Sequence, residues 1–123
     1  MSDVFVFGSN RLGIHGAGAA LHAKKHFGAI NGQGVGRQGA SYAIPTKETP
    51  YESLPLSEIR FYVLEFLDYA EEHSEESFHV TEIGCGLAGY SPKDIAPMFK
   101  YSPPNVNLPQ TFMKVLDETK TSQ

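Results

Sequence analysis

Residues suited to binding phosphate gather in two short glycine-rich stretches. One follows the apolar run Phe5-Val6-Phe7 as Gly8-Ser9-Asn10 and continues through Gly13-Ile14-His15-Gly16-Ala17-Gly18 into an alanine-rich segment. The other is Gly84-Cys85-Gly86-Leu87-Ala88-Gly89-Tyr90, between the run Phe78–Ile83 and Ser91-Pro92. Each sits between a strand-like run and a helix start. The first N–H groups of a helix lack partners, and glycine leaves them bare, which makes a natural anion site. Two such loops in one small chain predict a ligand with two phosphates, held from both sides.

Gly34–Gly39 and Gly84–Gly89 both fit G-x-G-x-x-G. The first follows no clear strand and precedes a strand instead of a helix. The second has the right context, but a dinucleotide fold needs an acidic residue about 20 residues on. Asn105-Val106-Asn107 stands there instead. Phosphate binding therefore survives, and nicotinamide-dependent dehydrogenase chemistry does not. Cys85 has no evident thiolate-stabilising neighbour and reads as a small buried residue. His22, His26, His73 and His79 lack metal-ligand spacing, so no metal site and no cofactor is expected.

The elements that position the loops read as follows. Asp3–Phe7 is a buried strand, and a helix spans about Gly16–Phe27. Its expected inner face is Ala17, Ala20, Leu21, Lys24 and Phe27, with Gly28 as its stop. Residues 31–39 form a loop or weak edge hairpin. Ser41–Thr46 is a strand ended near Pro45, and Thr49–Leu54 is a connector. Pro55 opens the longest helix, with Leu56, Ile59, Val63, Phe66, Leu67 and Ala70 as its buried stripe. Glu65, Asp68, Glu72, Glu75 and Glu76 form a solvated face and connector. Phe78–Ile83 is the next strand, and Ser91-Pro92-Lys93-Asp94 is a capping-box helix start, kept short by Pro97. Asn105–Leu108 is a final strand, and Pro109 starts a helix carrying Phe112, Val115 and Leu116. Strands alternating with helices predict an α/β sandwich around a largely parallel sheet.

The chain has 123 residues, which suits one domain, expected over residues 1–118 with a polar tail at 119–123. No apolar run reaches bilayer length, the start lacks a signal-peptide pattern, and a single cysteine excludes an internal disulfide. A cytoplasmic location without a membrane partner is expected. The net charge of −4 divides into +3 over residues 1–50 and −7 over residues 51–123. The positive part is also the glycine-rich part. That suits a small anionic ligand better than stable duplex nucleic acid.

His15-Gly16-Ala17-Gly18-Ala19-Ala20, Ala43-Ile44-Pro45-Thr46-Lys47 and Ile83-Gly84-Cys85-Gly86-Leu87-Ala88-Gly89, in that order, resemble macrodomains over about Val4–Phe99. They look like the glycohydrolases that remove terminal ADP-ribose from protein carboxylates, and still more like the antitoxins that remove ADP-ribose from DNA thymidine. The resemblance implies a three-layer α/β/α sandwich with a mixed, largely parallel sheet. It implies an ADP-ribose site at the strand ends. Gly8, Asn10, Gly13, Gly16, Ala17 and Gly18 would hold one side, and Gly84, Cys85, Gly86, Leu87, Ala88, Gly89 and Tyr90 the other. Asn10 would lie near the distal ribose, Tyr90 along the ribose or phosphates. Lys47 would attack or polarise the anomeric carbon of the distal ribose.

Two departures matter. The carboxylate-deprotecting enzymes carry an aspartate where this chain has Ala88, although the DNA-directed ones have a small residue there. His15 and Glu82 are candidate acid–base replacements. The chain is also short, and the family's adenine-reading acidic residue has no counterpart. Two functions follow. One is a hydrolase acting on ADP-ribosylated DNA or protein through Lys47. The other is a non-catalytic module that binds ADP-ribose or a cyclic or conjugated relative.

Overall fold

A computed structural model describes residues 2–121 of the chain, with side chains from Ser2 to Glu118. The elements are β1 (Ser2–Asn10), α1 (Gly18–His26), β2 (Gly36–Gln38), β3 (Ser41–Thr49), β4 (Glu52–Ser53) and α2 (Leu56–Glu72). They continue with β5 (Glu76–Val80), α3 (Pro92–Ile95), a 3-10 turn (Ala96–Phe99), β6 (Val106–Asn107) and α4 (Gln110–Thr121). The strands form one mixed α/β sheet in the order β2-β3-β1-β5-β6, with β4 paired to β3. β1 runs parallel to β3 and β5, and β5 parallel to β6; β2 and β4 are antiparallel to β3.

Alternation along the central strands divides the core in two. Val4, Val6, Tyr42 and Ile44 pack with the inner stripe of α2, the 3-10 turn and Phe112 of α4. Phe7 and Ala43 face the other way, onto Ala20 and Ala23 of α1, with Phe5 partly buried beside them. A strand buried on both faces loses period-2 patterning, which is why β1 reads as a continuous apolar run. The α2 stripe is buried as expected at Ile59, Val63, Phe66, Leu67 and Ala70, with Leu56 partly covered. The capping box at Ser91 and Asp94 is formed.

Several elements differ from expectation. β3 does not end at Pro45 but continues to Thr49. Phe5 N–H donates to the Ala40 carbonyl, and the alternation that follows turns the Pro45 nitrogen away from β1. On that outer side β2 pairs only as far as Ala43, and pairing with β4 begins at Lys47. Pro45 sits in the gap, where no ladder donor is needed. The segment expected as a connector thus contains a hairpin, with Pro50 and Tyr51 at its turn. The inner face of α1 runs through Ala20 and Ala23, whereas Ala17 and Lys24 are exposed.

β5 begins two residues earlier than expected, because pairing of Ser2 with Glu76 and Asp3 with Ser77 recruits polar residues. It stops at Val80, since Thr81 N–H and Oγ1 both donate to the Val6 carbonyl and Ile83 N–H turns back to Thr81. Glu76 is not solvated: it holds Arg37 through both oxygens, at 2.7 and 3.0 Å. Helix α4 carries the chain through Thr121, past the expected tail boundary. Met1 and the tail end, residues 122–123, lie outside the described residues. No helix among the described residues is long and apolar enough to cross a membrane.

Candidate functional site

The topology leaves a crevice where the two glycine loops emerge. The chain leaves β1 for β3 by way of α1, then crosses from β3 past β1 to β5 by way of α2 on the opposite face. The loops after β1 and β5 therefore depart in opposite directions, the usual place for a ligand crevice in an open α/β sheet. A cleft of about 730 Å³ opens there. Its walls are Gly8–Asn10, Ile14, Gly16–Ala20, Thr46–Lys47, Pro50–Tyr51, Thr81–Ala88 and Pro92.

On one wall, α1 starts at Gly18 with Ala17 as its cap, and no side chain satisfies the cap. Its first turn has no acidic residue, while its last turn carries Lys24, Lys25 and His26. The cap and first turn, within residues 16–20, line the cleft, and no carboxylate of that turn compensates the helix dipole there. On the other wall, the loop at 84–89 is tied at both sides. Ser53 Oγ on β4 donates to the Ala88 carbonyl at 2.7 Å, and Thr111 Oγ1 on α4 donates to Glu82 at 2.7 Å. Gly84 has φ +74°, and a Cβ there would press on Ile95 at 3.0 Å.

Most of the expected site residues line this cleft: Gly8, Asn10, Gly16, Ala17, Gly18, Gly84, Cys85, Gly86, Leu87, Ala88 and Lys47. Four do not. The His15 ring is buried against the edge of Phe7, beneath residues 30–38. Its Nε2 faces two acceptors, the Gln33 carbonyl at 3.0 Å and Gln38 Oε1 at 3.2 Å, so Nε2 carries a proton. His15 Nδ1 has no partner. This imidazole is placed for packing, out of reach of the cleft. Gly13 is also buried; its φ is +73°, and a Cβ would strike the Gly32–Gln33 backbone at 2.5 Å. Tyr90 packs on the main core and donates its hydroxyl to the Leu54 carbonyl at 2.6 Å. Gly89 lies outside the lining.

Asn10 lines the cleft, but its amide is already engaged. Nδ2 donates to the Ile14 carbonyl at 2.9 Å, and Oδ1 accepts from Ile14 N–H at 3.1 Å. It clasps the first loop in shape. Lys47 Nζ donates to the Pro50 carbonyl within its own hairpin. Lys47 and Glu82 are the charged residues of the lining, and Glu82 is the one bonded to Thr111. The Cys85 thiol is pushed up to about 11, first by burial and then by the Glu82 and Asp94 carboxylates. It is therefore protonated near neutral pH. Among the described residues, no three His, Cys, Asp or Glu side chains are arranged to hold a metal ion.

Sequence reasoning missed Tyr51, which lines the cleft from the β3–β4 turn. Thr49-Pro50 is a turn signal, and placed one residue beyond Pro45-Thr46-Lys47 it marks the hairpin. Chemically, the cleft offers the start of a helix, one amine, one carboxylate and apolar walls. Compared with known proteins, the chain matches no family model, no curated protein and no solved structure.

Proposed function

We propose that the cleft binds a nucleoside diphosphate sugar of the ADP-ribose type, in a macrodomain-like three-layer fold. The carrying observation concerns Gly16 and Gly86, one on each wall. A Cβ at Gly86 would meet nothing within 4 Å, and one at Gly16 only Ile14 Cγ2 at 4.0 Å. Neither residue has a positive φ. Packing and backbone conformation leave glycine unexplained at both positions, whereas close approach of phosphate oxygens to the backbone explains it. The uncapped start of α1 supplies matching donors.

A second function, hydrolysis of ADP-ribosyl linkages on DNA or protein, is favoured by Lys47, the cation of the lining. Its amine, deprotonated and released from Pro50, would attack the anomeric carbon of the distal ribose as the bond to the modified base or carboxylate breaks and that group leaves, and water would then cleave the lysine adduct to release ADP-ribose. Binding stands ahead of hydrolysis because Ala88 occupies the place of a carboxylate, His15 is buried and Glu82 is engaged by Thr111.

Calorimetry with ADP-ribose and its cyclic isomers tests the first function. Saturable binding with the ligand recovered intact is expected; a wild-type protein that binds none of them sinks it. Incubation with ADP-ribosylated DNA and protein tests the second. Equal release of ADP-ribose by wild type and Lys47→Ala removes Lys47 from any catalytic part.

A further inference from the structure

Helix α1 buries Ala20 and Ala23 against the sheet and leaves His22 and His26 exposed. The two histidines are four residues apart, so they are neighbours on the helix surface. Their ring centroids lie 4.7 Å apart, with the planes at 52°. The His22 ring rests against Phe5 at 5.4 Å and Phe27 at 5.6 Å, which fixes its place. The other three histidines are engaged: His15 with Gln33 and Gln38, His73 with the Tyr69 carbonyl, and His79 with Asp3. Among the described residues, no hydrogen bond or ion pair occupies the ring nitrogens of His22 or His26.

Two imidazoles at this helical spacing can share one metal ion. A metal–nitrogen bond of about 2.0–2.1 Å sets each ring centroid about 3.2 Å from the ion. A centroid separation of 4.7 Å then subtends about 95° at the ion, between the octahedral and tetrahedral angles. The last torsion of histidine is broad, so exposed rings can turn a nitrogen toward that point. His26 also ends the helix, where free carbonyls and the negative end of the dipole favour a cation. Lys24 and Lys25, in the same turn, oppose it by charge. That balance selects an ion that gains by bonding to nitrogen over one held by charge alone.

We propose that His22 and His26 form a two-ligand surface site for a divalent late first-row transition metal of the zinc, nickel or copper class. No three His, Cys, Asp or Glu side chains among the described residues close around an ion, so its other positions go to water or to a donor from another molecule. Neither histidine lines the cleft, and the site stands independently of the nucleotide reading.

Calorimetry on protein without a histidine tag tests the site with Zn²⁺, Ni²⁺, Cu²⁺ and Mg²⁺. Wild type is expected to bind each transition metal, Cu²⁺ most tightly, and no Mg²⁺. His22→Ala and His26→Ala should each weaken Zn²⁺ by at least about tenfold, because the second imidazole acts at high effective concentration. Both changes are exposed and place a stronger helix former on α1, and metal-free thermal midpoints no lower than wild type verify the fold. His79→Ala should bind as wild type does. Zn²⁺ should also raise the thermal midpoint of wild type, reversibly with a chelator, and leave that of His26→Ala unmoved. A wild type without saturable Zn²⁺ or Ni²⁺ binding overturns the site, as does equal Zn²⁺ affinity in His22→Ala. A loss confined to His79→Ala overturns it too, by moving the ion to the Asp3–His79 pair.

Discussion

At the residue scale, identity and use part company in the cleft. Asn10, Lys47 and Cys85 are all legible as residues of the two loops and the strand end, yet none is free for the obvious chemistry. The Asn10 amide clasps Ile14, and the Lys47 amine binds Pro50. The Cys85 thiol is held protonated, mainly by burial. Only a thiolate reacts with an alkylating agent. Cys85 should therefore react slowly with iodoacetamide at pH 7, and faster by about tenfold for each pH unit until the rate levels near pH 11. Mass spectrometry over a pH series measures this; fast labelling that is flat between neutral and mildly alkaline pH would contradict it. Such partners come from residues distant in sequence or from local turns, so no single-residue property announces them. His15 is the sharpest instance. Its position in a glycine loop suggested the cleft, but Gln33 and Gln38, more than a dozen residues on, draw it inward.

At the element scale, two kinds of glycine are interleaved in the same loops. Gly34 serves packing: a Cβ there would lie 2.2 Å from the Asn10 carbonyl oxygen, where residues 10–13 and 32–34 touch backbone to backbone. Gly86 serves no contact within the protein. Gly34→Ala should destabilise by about 3 kcal/mol, the upper range for forced overpacking. Gly86→Ala should change stability by no more than about 0.5 kcal/mol while weakening ADP-ribose about tenfold. Denaturant melts paired with calorimetry separate the two effects; wild-type affinity in Gly86→Ala would remove the ground for the phosphate assignment. The α2 stripe and the Ser91–Asp94 capping box were legible because they are written in adjacent residues at helical spacing. The β4 hairpin and the first residues of β5 were not, because short polar segments become strands only when a partner strand supplies the pairing.

At the scale of the whole molecule, the alternation of strands and helices foretold the parallel core, while strand order awaited the long-range pairings. One ion pair shows how far these reach. Arg37 on β2 meets Glu76 on β5, with two strands between them in the sheet, and also donates to Tyr69 on α2 at 3.0 Å. The guanidinium, by hydrogen bonding first and charge second, holds the Glu76 carboxyl below its usual range. A depressed carboxylate contributes stability above its unfolded value and loses it as pH falls through the folded one. Glu76→Gln should thus lower stability by about 1 kcal/mol at pH 7 and shrink the fall seen on acidification below about pH 5. Melts at graded pH check this; parallel stability curves for both proteins would show that the pair contributes nothing.

The ends of the sheet carry a different consequence. β2 and β6 are strands of three and two residues, and on the outer side of β3 the stretch between β2 and β4 presents Pro45. An incoming extended chain finds no long row of donors and acceptors to copy along these margins. Strand addition by a second copy is therefore poorly templated at both margins, although apolar side chains stand exposed elsewhere on the surface.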